Sequence, residues 1–147
     1  ATNRHINASD VKRVYDLFNG HTFYIQKTFN ESFADTREGE VCTLDTIRTA
    51  INNIIASNDT IFREILSNIP EKQKELLYAI AKDGKAEQIT SAEFIKRHRL
   101  TSASSVQSAT KKLLEKDIIT ERNKVYSLND KLFAMWINKL YGNTTML

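Results

Sequence analysis

The sequence predicts a mainly α-helical protein in which a helical region is followed by a winged helix-turn-helix. Three observations carry this. Apolar residues recur at helical spacing through most of the 147 residues, and only four glycines and one proline interrupt them. The period turns strand-like in one place only, Ile118-Ile119-Thr120 and Val125-Tyr126-Ser127-Leu128, separated by the polar turn Arg122-Asn123-Lys124. Between Pro70 and that hairpin lie three helical segments in the order such a fold requires, so the two strands form the wing of a two- to three-stranded sheet.

Taken in order, Ser9 is expected to cap a first helix with Val11, Val14, Tyr15 and Phe18 on one face, stopped by Asn19-Gly20. Thr22 caps a second, carrying Phe23, Ile25, Phe29 and Phe33 as its apolar stripe. A loop from Asp35 to Cys42 around Gly39 follows, and from Thr43 a longer helix is written by Ile47, Ile51, Ile54, Ile55, Ile61, Phe62, Ile65 and Leu66, with a break at Ser57-Asn58-Asp59. Ile69-Pro70 is the expected junction, because a residue preceding proline is pushed out of the helical region. This divides the chain into a helical region, 1–69, and a winged-helix region, 70–147.

In the second region Pro70 stands as a first helical residue, with Leu76, Leu77 and Ile80 facing inward and Asp83-Gly84 ending the helix. Ile89 supplies a short edge strand. Thr90-Ser91-Ala92-Glu93 reads as a capping box that opens a helix with Phe94 and Ile95 on its buried side, closed by Leu100. Thr101-Ser102 opens the third helix, whose inner stripe is Val106, Ala109, Thr110, Leu113 and Leu114. Its outer stripe of Ser104, Gln107, Ser108 and Lys111 is the candidate reading surface. A last helix places Phe133, Trp136, Ile137 and Leu140 on one face and packs back on the others, and Tyr141 to Leu147 fray.

Composition bounds the function. With 41% hydrophobic residues the chain can bury a core. One cysteine, Cys42, gives neither a disulfide framework nor a metal cluster and reads as a small semi-buried residue. His21 and His98 stand apart from other ligand types, and Glu38 and Glu40 read as solvated loop carboxylates, so neither a metal site nor a catalytic constellation is expected. No apolar run reaches the length of a membrane span and no signal segment opens the chain, which points to a cytoplasmic protein. The start at Ala1 in a polar run suggests a fragment or a processed start. Residues 1–69 hold 7 Lys and Arg against 9 Asp and Glu, whereas residues 70–147 hold 14 against 9, so the basic excess belongs to the winged-helix half.

The candidate contact residues follow from this reading. Ser102, Ser104 and Ser105 at a helix N-terminus can hold a phosphate by backbone N–H and hydroxyl together, or Ser102 simply caps. Gln107 and Ser108, one turn on, can reach base edges. Lys111, Lys112, Arg122 and Lys124 add phosphate contacts or serve as surface charge. DNA or a protein partner is the expected ligand, and no membrane.

The run from Pro70-Glu71-Lys72-Gln73-Lys74-Glu75-Leu76-Leu77 through Ser102-Ala103-Ser104-Ser105-Val106-Gln107-Ser108-Ala109 and Leu113-Leu114-Glu115-Lys116-Asp117-Ile118-Ile119 to Phe133-Ala134-Met135-Trp136-Ile137 resembles the C-terminal winged helix of archaeal-type predicted ATPases of the AAA+/STAND group of P-loop NTPases. Gly20-His21-Thr22-Phe23-Tyr24-Ile25-Gln26 is similar to the Gly-x-Pro-x-Tyr-x-x-Gln segment of that family's helical lid, with Thr22 where proline is usual. The resemblance implies a lid plus winged helix detached from an ATPase core, which would hold ATP and Mg²⁺ and be a partner of this region. None of Gly20, Gly39, Gly84 or Gly142 begins a phosphate-cradling G-x-x-x-x-G-K-[ST] loop, so no cofactor and no ATP hydrolysis are expected of the chain itself. With the core absent, the Phe23/Phe29/Phe33 and Ile47/Ile51/Ile54 stripes are core or, in part, an exposed former interface. The rival expectations are a self-standing MarR-like dimeric transcriptional regulator and a winged helix used purely for protein interaction.

Overall fold

The computed structural model describes residues 4–142. The chain divides into two compact units, with the boundary between Asp59 and Thr60. That boundary lies ahead of the Ile69-Pro70 junction expected from the sequence, so the helix running into Ser67 goes with the second unit. Helix dominates, at 63% of the described residues.

In the first unit, β1 (His5–Ile6) pairs in parallel with β2 (Val41–Cys42), and α1 (Ala8–Leu17), α2 (Thr22–Ala34) and α3 (Leu44–Ser57) complete it. The strand at Val41–Cys42 lies where the sequence predicts only loop, and it leaves Cys42 fully buried rather than half-exposed. α1 begins one residue before Ser9, with Asn7 at the cap position, and Thr22 is the first residue of α2, with His21 ahead of it; neither cap position makes a side-chain cap bond. α3 matches expectation. Thr43 caps it by accepting from the Thr46 N–H at 3.2 Å, and Ile47, Ile51, Ile54 and Ile55 are buried.

The apolar faces of α1 and α2 are the main departure. Val14 and Phe18 are buried, but Val11 and Tyr15 are exposed. On α2, Phe23 is 61% exposed, and Phe29 and Phe33 are half-buried and stacked on each other at 6.3 Å. The buried stripe is instead Thr28, Ser32 and Thr36. Each donates its hydroxyl to the carbonyl four residues back (Tyr24, Thr28 and Ser32), each at 2.7 Å. A buried hydroxyl normally demands a partner; here the helix's own backbone supplies it, and small side chains can face α3 closely.

The second unit contains α4 (Asp59–Ser67) from Thr60 on, α5 (Glu71–Asp83), β3 (Ala86–Glu87), α6 (Ala92–Arg97), α7 (Ala103–Glu115), β4 (Ile119–Arg122), β5 (Val125–Leu128) and α8 (Lys131–Leu140). α5 is its centre, packing against α7, α8 and β5 with Leu76, Leu77 and Ile80 buried. Pro70 is the residue before α5 rather than its first. Gly84, at φ 76°, closes α5, a conformation that costs glycine little. The three strands form an antiparallel sheet in the order β3-β5-β4, so β5 is central and the edge strand is Ala86–Glu87, not Ile89, which is buried just beyond it. The hairpin turn is Asn123-Lys124 alone, both at positive φ (52° and 62°) as a two-residue turn between twisted strands requires, and Arg122 ends β4. Ser91, not Thr90, caps α6, accepting from the Phe94 N–H at 3.1 Å; Glu93 is therefore too near the cap to complete the expected box. Ile95, Leu100 and Leu114 are half-buried and Ile118 precedes the strand.

α8 packs as expected through Phe133, Trp136 and Ile137, with Leu132 and Met135 also buried, while Leu140 is exposed. Phe62 of α4 brings its ring to 5.1 Å from Phe133 and 5.7 Å from Trp136, while Ile61 and Ile65 are exposed. Tyr141, placed in the fraying segment, packs its ring at a tilt against Tyr78, 4.6 Å between centroids; residues 143–147 of that segment lie outside the described residues.

Candidate functional site

α7 presents the surface singled out by the sequence. Its N-terminal residue Ala103 follows Ser102, whose hydroxyl accepts from the Ser105 N–H at 3.1 Å and lies 3.2 Å from the Ser104 hydroxyl. Ser102 thus acts as the cap, and Ser105 is half-buried. Val106, Ala109, Thr110 and Leu113 are buried against the unit's core, which forces the opposite side of the helix outward: Ser104, Gln107, Ser108, Lys111 and Lys112 are all exposed. Lys112 pairs with Glu115 at 3.6 Å.

Between α7, the segment after β3 and the hairpin lies a groove of about 730 Å³. Gln107, Thr110, Lys111 and Leu114 line it from α7 at the i, i+3, i+4 and i+7 spacing of one helical face, and Asn123 and Lys124 close it from the hairpin turn. Of the predicted contact residues it therefore gathers Gln107, Lys111 and Lys124. Ser102, Ser104, Ser105, Ser108 and Lys112 lie outside it on α7 and its cap. Arg122 is outside it for a different reason. Successive strand residues face opposite sides of a sheet, and Glu121 is the one that lines the groove.

The sequence reading missed Glu87, Gln88, Glu121 and Tyr126 as groove residues. Tyr126 sits in the central strand opposite both Ala86 and Glu121. Its hydroxyl is held above the usual phenol range by burial and then by the Glu121 carboxylate. Its position within an alternating strand was the available signal; what it faces depends on a strand order no local pattern discloses. The groove's charged lining is Glu87 and Glu121 against Lys111 and Lys124, so its field is mixed.

The model of the family described as "Probable winged helix domain" matches residues 60–139, more than half of the chain. The chain belongs to this family. No curated protein and no solved structure matches it. The matched span holds the helices α5, α6 and α7 followed by the β4–β5 hairpin. Winged helix domains bind DNA or other proteins. The matched span begins where the second compact unit begins and takes in α8 almost to its end. Among the described residues no helix is long and apolar enough to cross a membrane.

Proposed function

We propose that the winged helix domain binds duplex DNA, with α7 presented to the major groove and the wing alongside it. The observation that carries this reading is the exposed polar face of α7 (Ser104, Gln107, Ser108 and Lys111) beside a wing tip bearing Lys124 and Arg122. Glutamine is the one side chain on that face suited to a bidentate contact, and it suits adenine; the lysines and arginine supply sequence-independent phosphate contacts. Basic residues outnumber base-readers here, so affinity is chiefly electrostatic.

Fluorescence anisotropy with duplex DNA at two salt concentrations tests it. Replacing Lys111, Lys112, Arg122 and Lys124 together by alanine weakens binding to all sequences alike and flattens the slope of log K against log salt by up to about 0.9 per lost phosphate contact. Gln107→Ala leaves binding to random DNA little changed and loses about 1–3 kcal/mol on a preferred site. No detectable binding at low salt rejects the DNA reading.

The mixed charge of the groove favours a second reading, in which the same face docks a protein segment carrying both signs of charge. We further propose, on the resemblance of the Gly20–Gln26 and Ser102–Ala109 segments, that the chain is the lid and winged-helix part of a P-loop ATPase whose core holds the nucleotide. A sequence reaching upstream of Ala1 that contains a phosphate-binding loop supports this, and titration of the present chain with ATP and Mg²⁺ gives neither tight binding nor turnover.

A further inference from the structure

We propose a second binding site in the winged helix domain, for a small phosphate-bearing anion, in the pocket of about 390 Å³ formed where α5, the end of α6 and the end of α8 meet. Lys82 and Tyr78 face it from α5, Arg97, His98 and Arg99 from the end of α6, and Tyr141 from beyond α8. It shares no residue with the α7 groove.

The charge balance defines the ligand. Three permanent cations line the pocket, and none of its lining residues is acidic. The nearby carboxylate, Asp83, is already committed: Arg97 Nη2 donates to it at 2.6 Å and His98 Nε2 stands 3.1 Å from its other oxygen. One of the three positive charges is thereby balanced, leaving Lys82 and Arg99 to face an anion of charge about −2, the charge of a phosphomonoester at neutral pH. Lys82 and Arg99 bring an ammonium and a guanidinium fork to the pocket, and the Arg97 N–H groups not given to Asp83 and His98 add to them, a donor set suited to phosphate oxygens. Tyr78 and Tyr141 are hydrogen-bonded to each other on the pocket wall, and the Tyr78 phenol stays protonated because burial, that hydrogen bond and the charges of Tyr141 and Glu71 all hold its ionisation above the usual phenol range.

Lys82 and Arg97 each lie in the last turn of a helix, where a cation offsets the helix dipole, and that role alone accounts for both. Arg99 is different. It occupies the left-handed position, φ 55°, of a Schellman closure in which the Leu100 N–H reaches the Ile95 carbonyl and the Arg99 N–H reaches that of Lys96. Glycine is the residue that conformation favours, and an arginine there bears backbone strain, as Asn19 and Asp117 do in the equivalent closures of α1 and α7. The other long side chains held at positive φ, Gln88 and Lys124, both line the α7 groove.

The test is the thermal stability of the whole chain in inorganic pyrophosphate, at ionic strength matched with sodium chloride and followed by the fluorescence of Trp136. The intact chain shows a saturable rise in Tm of about 2–5 °C. Arg99→Gly melts no lower than the parent without ligand, since it relieves the backbone, yet needs about tenfold more pyrophosphate for half-saturation, the effect of losing one charge-assisted bond. Lys82→Gln shifts the response in the same direction and serves if Arg99→Gly does not fold. The wing variant, Lys124→Ala combined with Lys111→Ala on α7, keeps the full response. No saturable rise in the intact chain, an unchanged response in both pocket variants, or a loss confined to the wing variant overturns the proposal. Because the DNA reading is scored by anisotropy on other residues, its failure leaves this result standing.

Discussion

Helices α2 and α7 have the same length, thirteen residues, and both bury one face, yet they do so on different chemical terms. α7 buries Val106, Ala109 and Leu113 with a single hydroxyl, Thr110, bonded back to the Val106 carbonyl at 2.7 Å. α2 buries Thr28 and Ser32, continued by Thr36, and leaves its phenylalanines at the margin or in solvent. Hydrophobicity tells which side of α7 is inside; it points to the wrong side of α2. A hydroxyl that satisfies itself on its own helix costs little to bury, and its small size lets a neighbouring helix come close. Where packing is set by closeness, volume decides the buried face more than polarity does.

Trp136→Ala sets the upper end of that contrast. Its ring is 4% exposed, stacks on Phe133 at 6.0 Å and lies under the Arg63 guanidinium at 5.6 Å. Its removal costs about 3–5 kcal/mol, seen as a large fall in denaturant midpoint; an unchanged midpoint would take α8 off the core. Ser32→Leu probes the other kind of face. It forces a large side chain into a fully buried hydroxyl position and costs about 1–3 kcal/mol, whereas Phe23→Ala, on an exposed ring, stays within about 0.5 kcal/mol. If the two changes reverse in size, the buried stripe of α2 is its aromatic one.

Smaller effects sharpen the picture of the wing and of the helices beneath it. Lys124→Gly relieves a left-handed residue of about 1–2 kcal/mol of strain, less about 0.5–1 kcal/mol of added unfolded-state entropy, for a net gain of about 0.5–1 kcal/mol. A higher Tm accompanied by weaker binding to DNA is the expected pair of results. At alkaline pH the phenols of Tyr78 and Tyr126 are both held protonated in the fold beyond the point at which they ionise in the unfolded chain. The folded state therefore binds more protons above about pH 10, and stability falls as pH rises through that range. Lys131 acts in the opposite sense, its ammonium disfavoured by burial and by Lys85, so that its part of the stability rises as pH approaches 10.5. Tyr78→Phe flattens the alkaline fall, checked by melting curves between pH 8 and 11.

The same contrast explains what the sequence disclosed. Segments whose apolar residues follow one period, α3, α5, α7 and α8, were legible together with the break at Asn58 and the hairpin. Caps slipped by a residue where two candidates adjoin, as at Thr90-Ser91, because which hydroxyl turns inward depends on the chain's approach. The pairing of His5–Ile6 with Val41–Cys42 was illegible, since two-residue strands carry no period and their partners are remote in sequence. At the candidate site, the exposed face of α7 was legible from its buried one. The acidic lining contributed by Glu87 and Glu121 was not, because it arises from the strand order β3-β5-β4.

The chain has one cysteine and one tryptophan, and they lie in different units: Cys42 in the first, Trp136 in the second. Both side chains are buried, the thiol completely. A thiol reagent can reach the buried Cys42 only when the structure around it opens, so the labelling rate is a clock for local opening of the first unit. Indole emission reports the second. One unmutated chain thus carries two separate gauges, and a ligand seated on the winged helix domain that slows the thiol clock would reveal communication between the units.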